Sequence, residues 1–205
     1  VASQWDSNCP NCGVVSSLNP KILLVPRWPN NISYHTTTPS EAVGVFNSIY
    51  GPNGSVPYWD HNFDYAEFLD YDTSISIIHI LNGTAWPHYM HQGNQRQYAE
   101  NRSLVTDWVK ALLNKYSKYS NLPLLTYKWN VLGEYVGYRT DYEKTKSLFT
   151  ATWDRSTNKV QVDYAGARDS LGQLFITGTK DYQDKYTYNE EYDGNTITNT
   201  LIPTS

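Results

Sequence analysis

Residues 58 to 72 read YWDHNFDYAEFLDYD, with six aromatic residues, one histidine and five acids and neither Lys nor Arg. The carboxylates of Asp60, Asp64, Glu67, Asp70 and Asp72 can be paired in several ways at the ~5 to 9 Å that acid–base cleavage of a glycosidic bond requires. Calcium is a poorer fit, because the acids lack EF-hand spacing and a central Gly. Acids crowded together without a cation repel one another and favour full hydration, which opposes the partly desolvated setting of a catalytic carboxylate. Tyr58, Trp59, Tyr65 and Tyr71 have apolar faces with polar edges, suited to stacking on sugar rings. Phe63, Phe68 and Leu69 are expected to pack inward. The segment therefore reads as part of an exposed binding surface, with Tyr58, Trp59, Asp60, Tyr65, Tyr71 and Trp86 as the expected ligand-binding residues, and not as an active site.

Other residues of chemical interest are scattered. His88 and His91 stand as HxxH, with His61 and His79 elsewhere. Pro87 and Gly93 bracket the HxxH pair, so it reads as loop. A zinc site there needs a third ligand, for which Asp60 or His61 is the candidate. His79, within an apolar run, reads as a core histidine satisfied by a hydrogen bond. Glu134, with Glu190 or Glu191 as distant partner, is a second candidate acid. Cys9 and Cys12 form one CxxC, consistent with a local disulfide, half a metal site or a redox pair. Asn31, Asn53, Asn82 and Asn101 head N-x-S/T sequons and are candidate glycosylation sites. No serine-nucleophile elbow, HExxH, phosphate-binding loop or dinucleotide fingerprint is present. No catalytic residue, metal or cofactor is expected.

The composition narrows the class. The 205 residues carry a net charge of −4, and the basic residues are dispersed, which argues against a nucleic-acid partner. No apolar run approaches the ~20 residues of a spanning helix, so membrane insertion is not expected. Tyr is abundant, 18 against 5 Phe, with 7 Trp, as on surfaces that meet glycans or proteins. The ends, VASQWDS and NTITNTLIPTS, read as those of a segment cut from a precursor.

These residues must be positioned by a few elements. TPSEAVGVFNSIYGP predicts a helix at about 39–50, with Thr38 and Glu41 as a capping box and Pro39 at the first position. SLVTDWVKALLNKYSKY predicts another at about 103–118, its apolar stripe in core contact. KILLV (21–25) and ISIIHIL (75–81) read as buried strands. From residue 122 to 202 most segments, including PLLTYKWNVL and EYVGYRT, read as antiparallel strands. The expected fold is α+β, mainly an antiparallel sheet or small barrel with two packed helices. The expected organisation is an N-terminal extension (1–20), one globular domain (21–202) and a short tail (203–205).

In its cut ends, its Tyr- and Thr-rich strands such as KYTYNEEY and its low charge, the chain resembles the capsid spike domain of a small non-enveloped RNA virus of the avian astrovirus type. The resemblance implies a β-rich dimeric spike on the virion surface that attaches to a host glycan or protein receptor. It also implies idle sequons and a reduced CxxC. The expected function is thus non-catalytic attachment at a virion or extracellular surface. The alternatives are a secreted carbohydrate-acting hydrolase with a carboxylate pair, and a structural subunit of an extracellular filament or surface layer joined through an edge such as TITNTLI (196–202).

Overall fold

A computed structural model describes Cys9, residues 11–157 and 159–165, and three further strands. The chain forms two compact units, one of residues up to Pro26 and from Tyr127 onward, the other Arg27–Thr126.

Three helices build the Arg27–Thr126 unit: α1 (Pro39–Tyr50), α2 (Tyr65–Leu81) and α3 (Leu104–Tyr116). Each begins at a side-chain cap. Thr38 and Glu41 form the expected capping box of α1. Asp64 Oδ1 accepts from the Glu67 amide at 2.8 Å to start α2. Ser103 caps α3. Such caps satisfy amide groups that have no partner inside the helix. Ile32, Ala42, Phe46, Phe63, Phe68, Ile77, Leu104, Trp108 and Leu112 make the core. Replacing Asp64 with Ala should cost about 1 kcal/mol, read as a lower urea midpoint with unchanged slope.

The other unit holds α4 (Trp129–Thr145), in which Leu132, Val136 and Thr140 are buried four residues apart. Its strands lie in three separate small antiparallel sheets among the described residues. The first pairs β1 (Val14–Val15) with β2 (Leu23–Leu24). β3 (Phe149–Asp154), β4 (Lys159–Tyr164) and β7 (Ile197–Thr200) form a three-stranded sheet in that order. β5 (Gly172–Ile176) pairs with β6 (Tyr188–Tyr192).

The expectation of a sheet- or barrel-dominated fold with two helices is therefore corrected. The stretch ISIIHIL is the second half of α2, and EYVGYRT lies inside α4. In α2 the buried face carries polar Asp72, Thr73 and Ser76 beside Phe68 and Ile77, while Ile75 and Ile78 are exposed. With apolar residues on both faces, the helical period does not stand out, and a short apolar run cannot by itself distinguish strand from helix. In α4 the Tyr and Val residues favour strands by propensity, and tertiary packing of Leu132, Val136 and Thr140 overrides them. The α3 stripe is likewise only partly core, since Val109 and Leu113 face solvent. No described helix is long and apolar enough to cross a membrane.

Candidate functional site

Two loops of the Arg27–Thr126 unit, residues 27–37 and 84–96, are fastened to each other. The Trp28 amide donates to Pro87 O at 2.9 Å and the Tyr89 amide to Trp28 O at 3.1 Å. Asn30 Nδ2 donates to Tyr89 O at 2.8 Å. Asn94, fully buried at 0% exposure, is the strongest fastener. Its Nδ2 donates to Ser33 O and Thr36 O, both at 2.9 Å, and its Oδ1 accepts from the His91 amide at 2.9 Å. Gly93 allows the close approach, because a Cβ there would lie 2.9 Å from Tyr34 O.

Beneath these loops lies a layer of rings around a buried carboxylate. Asp72, 2% exposed, accepts on Oδ1 from the Asn31 amide (2.8 Å) and Asn31 Nδ2 (2.7 Å), and on Oδ2 from Trp108 Nε1. His79 stacks on Trp28 with ring centroids 3.8 Å apart, and its Nδ1 lies 3.1 Å from His88 Nε2. His88 also meets the Trp108 ring at 5.5 Å. Burial and the neighbouring His79 push the His88 imidazole down to about 4. Burial lowers His79 as well.

Above this layer, side chains reach solvent. Tyr34, 67% exposed, meets the rings of His35 at 5.0 Å and His91 at 6.0 Å. The His91 ring also stands edge-on to Tyr89 at 5.6 Å. On Tyr89 rests the Arg27 guanidinium, 4.1 Å from the ring centroid. Arg27 Nε is buried without a hydrogen-bond partner among the described residues. Exposed His35 and His91, a stacking face at Tyr34 and the half-buried Arg27 cation thus share one rim.

A concavity of about 580 Å³ lies elsewhere in the unit, between α2 and α3, and includes Tyr65, Arg102, Asp107 and Lys110. Its carboxylate is already committed. Asp107 accepts from Tyr65 Oη (3.1 Å), Tyr98 Oη and Arg102 (3.0 and 3.1 Å). Burial pushes Asp107 upward, but these bonds outweigh it and hold the carboxyl below its ordinary range. That groove is better suited to structure than to proton transfer.

The residues expected to bind ligand are placed differently from one another. Tyr58 is 74% exposed, with Trp59 edge-on to it at 5.0 Å. Trp59 is half-buried against Phe63 (4.9 Å) and Tyr71 (5.3 Å), so both Trp59 and Tyr71 flank the core. Tyr65 is engaged with Asp107. Trp86 is 2% exposed and has no face to offer a sugar, which corrects its place in the expected surface. Asp60 and Glu67 each sit 2.7 Å from the His61 ring and clamp it from both sides. Of the acids that the alternative hydrolase reading would pair, Asp60 and Glu67 are thus both committed to His61 and Asp72 is enclosed in the core.

Glu134 is exposed on α4, in the other unit. Zinc at HxxH finds no support in the geometry, since His88 turns to His79 and His91 to the two tyrosines. Among the described residues, the one trio whose ligand atoms gather closely enough for a metal is Cys9, Cys12 and Glu143. Cys9 and Cys12 are joined as a disulfide. Sequence reasoning missed Arg27, Tyr34, Asn94 and the pairing of the two loops. A usable signal was present in the Gly93-Asn94 step after HxxH, a tight turn with a side chain able to bond backbone.

No family model matches the sequence, and no curated protein matches it. A solved structure described as the crystal structure of Agd3, a novel carbohydrate deacetylase, is similar with a TM-score of 0.67 at 15% identity. The similarity covers 93% of this chain and 31% of that one, so the chain spans under a third of that structure's length. At this identity the likeness is one of fold.

Proposed function

We propose that the chain is part of a carbohydrate-acting hydrolase that removes acetyl groups from N-acetylated sugars, with the two-loop rim as its working face. What supports this is the convergence of His91, Tyr34 and Arg27 around Tyr89, together with the fold shared with a carbohydrate deacetylase. In such a hydrolysis water adds to the amide carbonyl, the C–N bond breaks, and acetate and a free amine leave. The amine cannot depart as an anion, so it takes a proton, and a solvent-facing imidazole supplies one well. His91 has that role. Asn94 anchors the His91 backbone through its amide, and the ring stands edge-on to Tyr34 and Tyr89. The Arg27 guanidinium, resting on the Tyr89 ring, adds positive charge beside the rim, which favours the negative charge that develops on the carbonyl oxygen. Tyr34 offers a stacking face for a sugar ring.

The earlier expectation of attachment without chemistry competes directly with this. Acetate release from N-acetylated amino-sugar oligomers, measured on the natural polypeptide that carries this chain, separates the two. His91→Ala should lower the rate by about 10²-fold or more at unchanged melting temperature, while His61→Ala leaves it unchanged. An attachment module would bind the oligomer, release no acetate and be indifferent to His91→Ala.

A further inference from the structure

The four sequons are not equivalent in the folded chain. Asn53 is exposed in the turn after α1, closed by the Gly54 amide donating to Gly51 O at 2.9 Å. Asn82 is the exposed C-terminal cap of α2 and is followed by Gly83 at φ +67. Asn101 is exposed in a turn with its own φ at 55, just before α3. Their side-chain amides make no hydrogen bond within the described residues. Asn31 is the opposite case. Its Nδ2 donates at 2.7 Å to Oδ1 of the buried Asp72, whose other oxygen accepts from Trp108 Nε1. A sugar on that nitrogen would leave one N–H and would have to be accommodated against the buried Asp72 that the nitrogen faces.

A second, separate observation bears on compartment. Cys9 and Cys12 are both buried and joined as a disulfide. Disulfides persist in the same oxidising compartments where sequons are modified. We propose that Asn53, Asn82 and Asn101 are N-glycosylation sites of the mature protein and that Asn31 is a sequon that stays bare. The reaction bonds C1 of an oligosaccharide to the asparagine Nδ2. The C1–O bond to a lipid diphosphate donor breaks, the lipid diphosphate departs, and one amide proton is released. The sugar-acting reading above is not required for this, because the two rest on different residues.

The sequon positions have one structural consequence. All three exposed sites flank helix ends: Asn53 follows α1, Asn82 ends α2 and Asn101 precedes α3. Glycans there project from turns and leave the helix–helix contacts untouched, whereas Asn31 lies in the loop that Asn94 and Asp72 hold in place.

The test is glycopeptide mapping of the unmodified sequence, secreted from a eukaryotic cell behind a signal peptide. The soluble fraction with a cooperative melt is digested with an amidase that converts each occupied Asn to Asp. Conversion at Asn53, Asn82 and Asn101 with intact Asn31 is the expected result. A glycan on Asn31 in the folded fraction, or no glycan at any of the other three, overturns the assignment. Asn53→Gln, Asn82→Gln and Asn101→Gln should each remove one glycan without lowering the melting temperature of enzymatically deglycosylated protein. Asn31→Gln should remove none and lower that temperature.

Discussion

Asp72→Ala is expected to destabilise the Arg27–Thr126 unit by about 3 kcal/mol or more. The carboxylate is 2% exposed and takes hydrogen bonds from the Asn31 amide, Asn31 Nδ2 and Trp108 Nε1. Removing it leaves those three donors in a dry setting, each costing ~1 to 3 kcal/mol, and opens a small cavity between α2 and α3. For a unit of this size the loss corresponds to a fall of roughly 12 to 24 °C in Tm. Asp72→Asn should fall between the two, since one oxygen still serves Asn31 while the new NH₂ faces another donor at Trp108. Thermal melts followed by far-UV circular dichroism report both. A loss below about 1 kcal/mol for the alanine variant would mean that the network contributes little beyond packing. The same spectra should carry a strong helical signature from α1 to α4.

Acid should destabilise the same unit, and His88 should be the main reason. Its imidazole is held down to about 4 by burial and by His79 beside it. The unfolded chain takes up that proton near the ordinary value of about 6.5. Between those two values the unfolded state binds more protons, so stability is full above pH ~6.5 and falls as pH drops toward ~4. The whole shift would be worth about 3 kcal/mol, and partial contact with solvent reduces it to about 2. His79, lowered by burial, acts in the same direction. His61 acts in the opposite direction. Asp60 and then Glu67 raise it through hydrogen bonds, so its small contribution is present in acid and fades as pH rises. Urea midpoints should therefore fall steeply as pH is lowered from 7 to 4 for the natural sequence, and fall much less for His88→Gln, the remainder coming from His79. An unchanged acid limb in that variant would assign the effect to other groups, His79 first among them, since burial lowers its imidazole as well.

Much of the local structure was legible in the residues. Thr38, Pro39 and Glu41 announced α1, because a capping box and an N-terminal proline use only neighbours in sequence. Leu104, Trp108 and Leu112 announced α3 by their spacing. β3 and β4 read correctly, with a turn in which Asp154 accepts from the Ser156 amide at 2.9 Å. What failed was α2 and α4. The buried face of α2 is made of Asp72, Thr73 and Ser76 as well as Phe68 and Ile77, and polar residues inside look, in sequence, like residues outside.

The candidate site failed for a related reason. His88 and His91 were visible as a pair, but they point to different layers, one toward His79 and one toward Tyr34 and Tyr89. That division depends on Asn94 bonding two carbonyls some sixty residues upstream, at Ser33 and Thr36. The opening acidic segment divided in the same way: Asp64 became a helix cap, Asp60 and Glu67 a clamp on His61, and Asp72 a core acceptor. Sequence alone determined where helices could start, that the acids lacked calcium spacing, and that aromatic surface was plentiful. Only the tertiary structure decided which acid is buried, which histidine meets solvent and which asparagine is free, because each of those depends on a partner distant in the chain and on the water that packing removes.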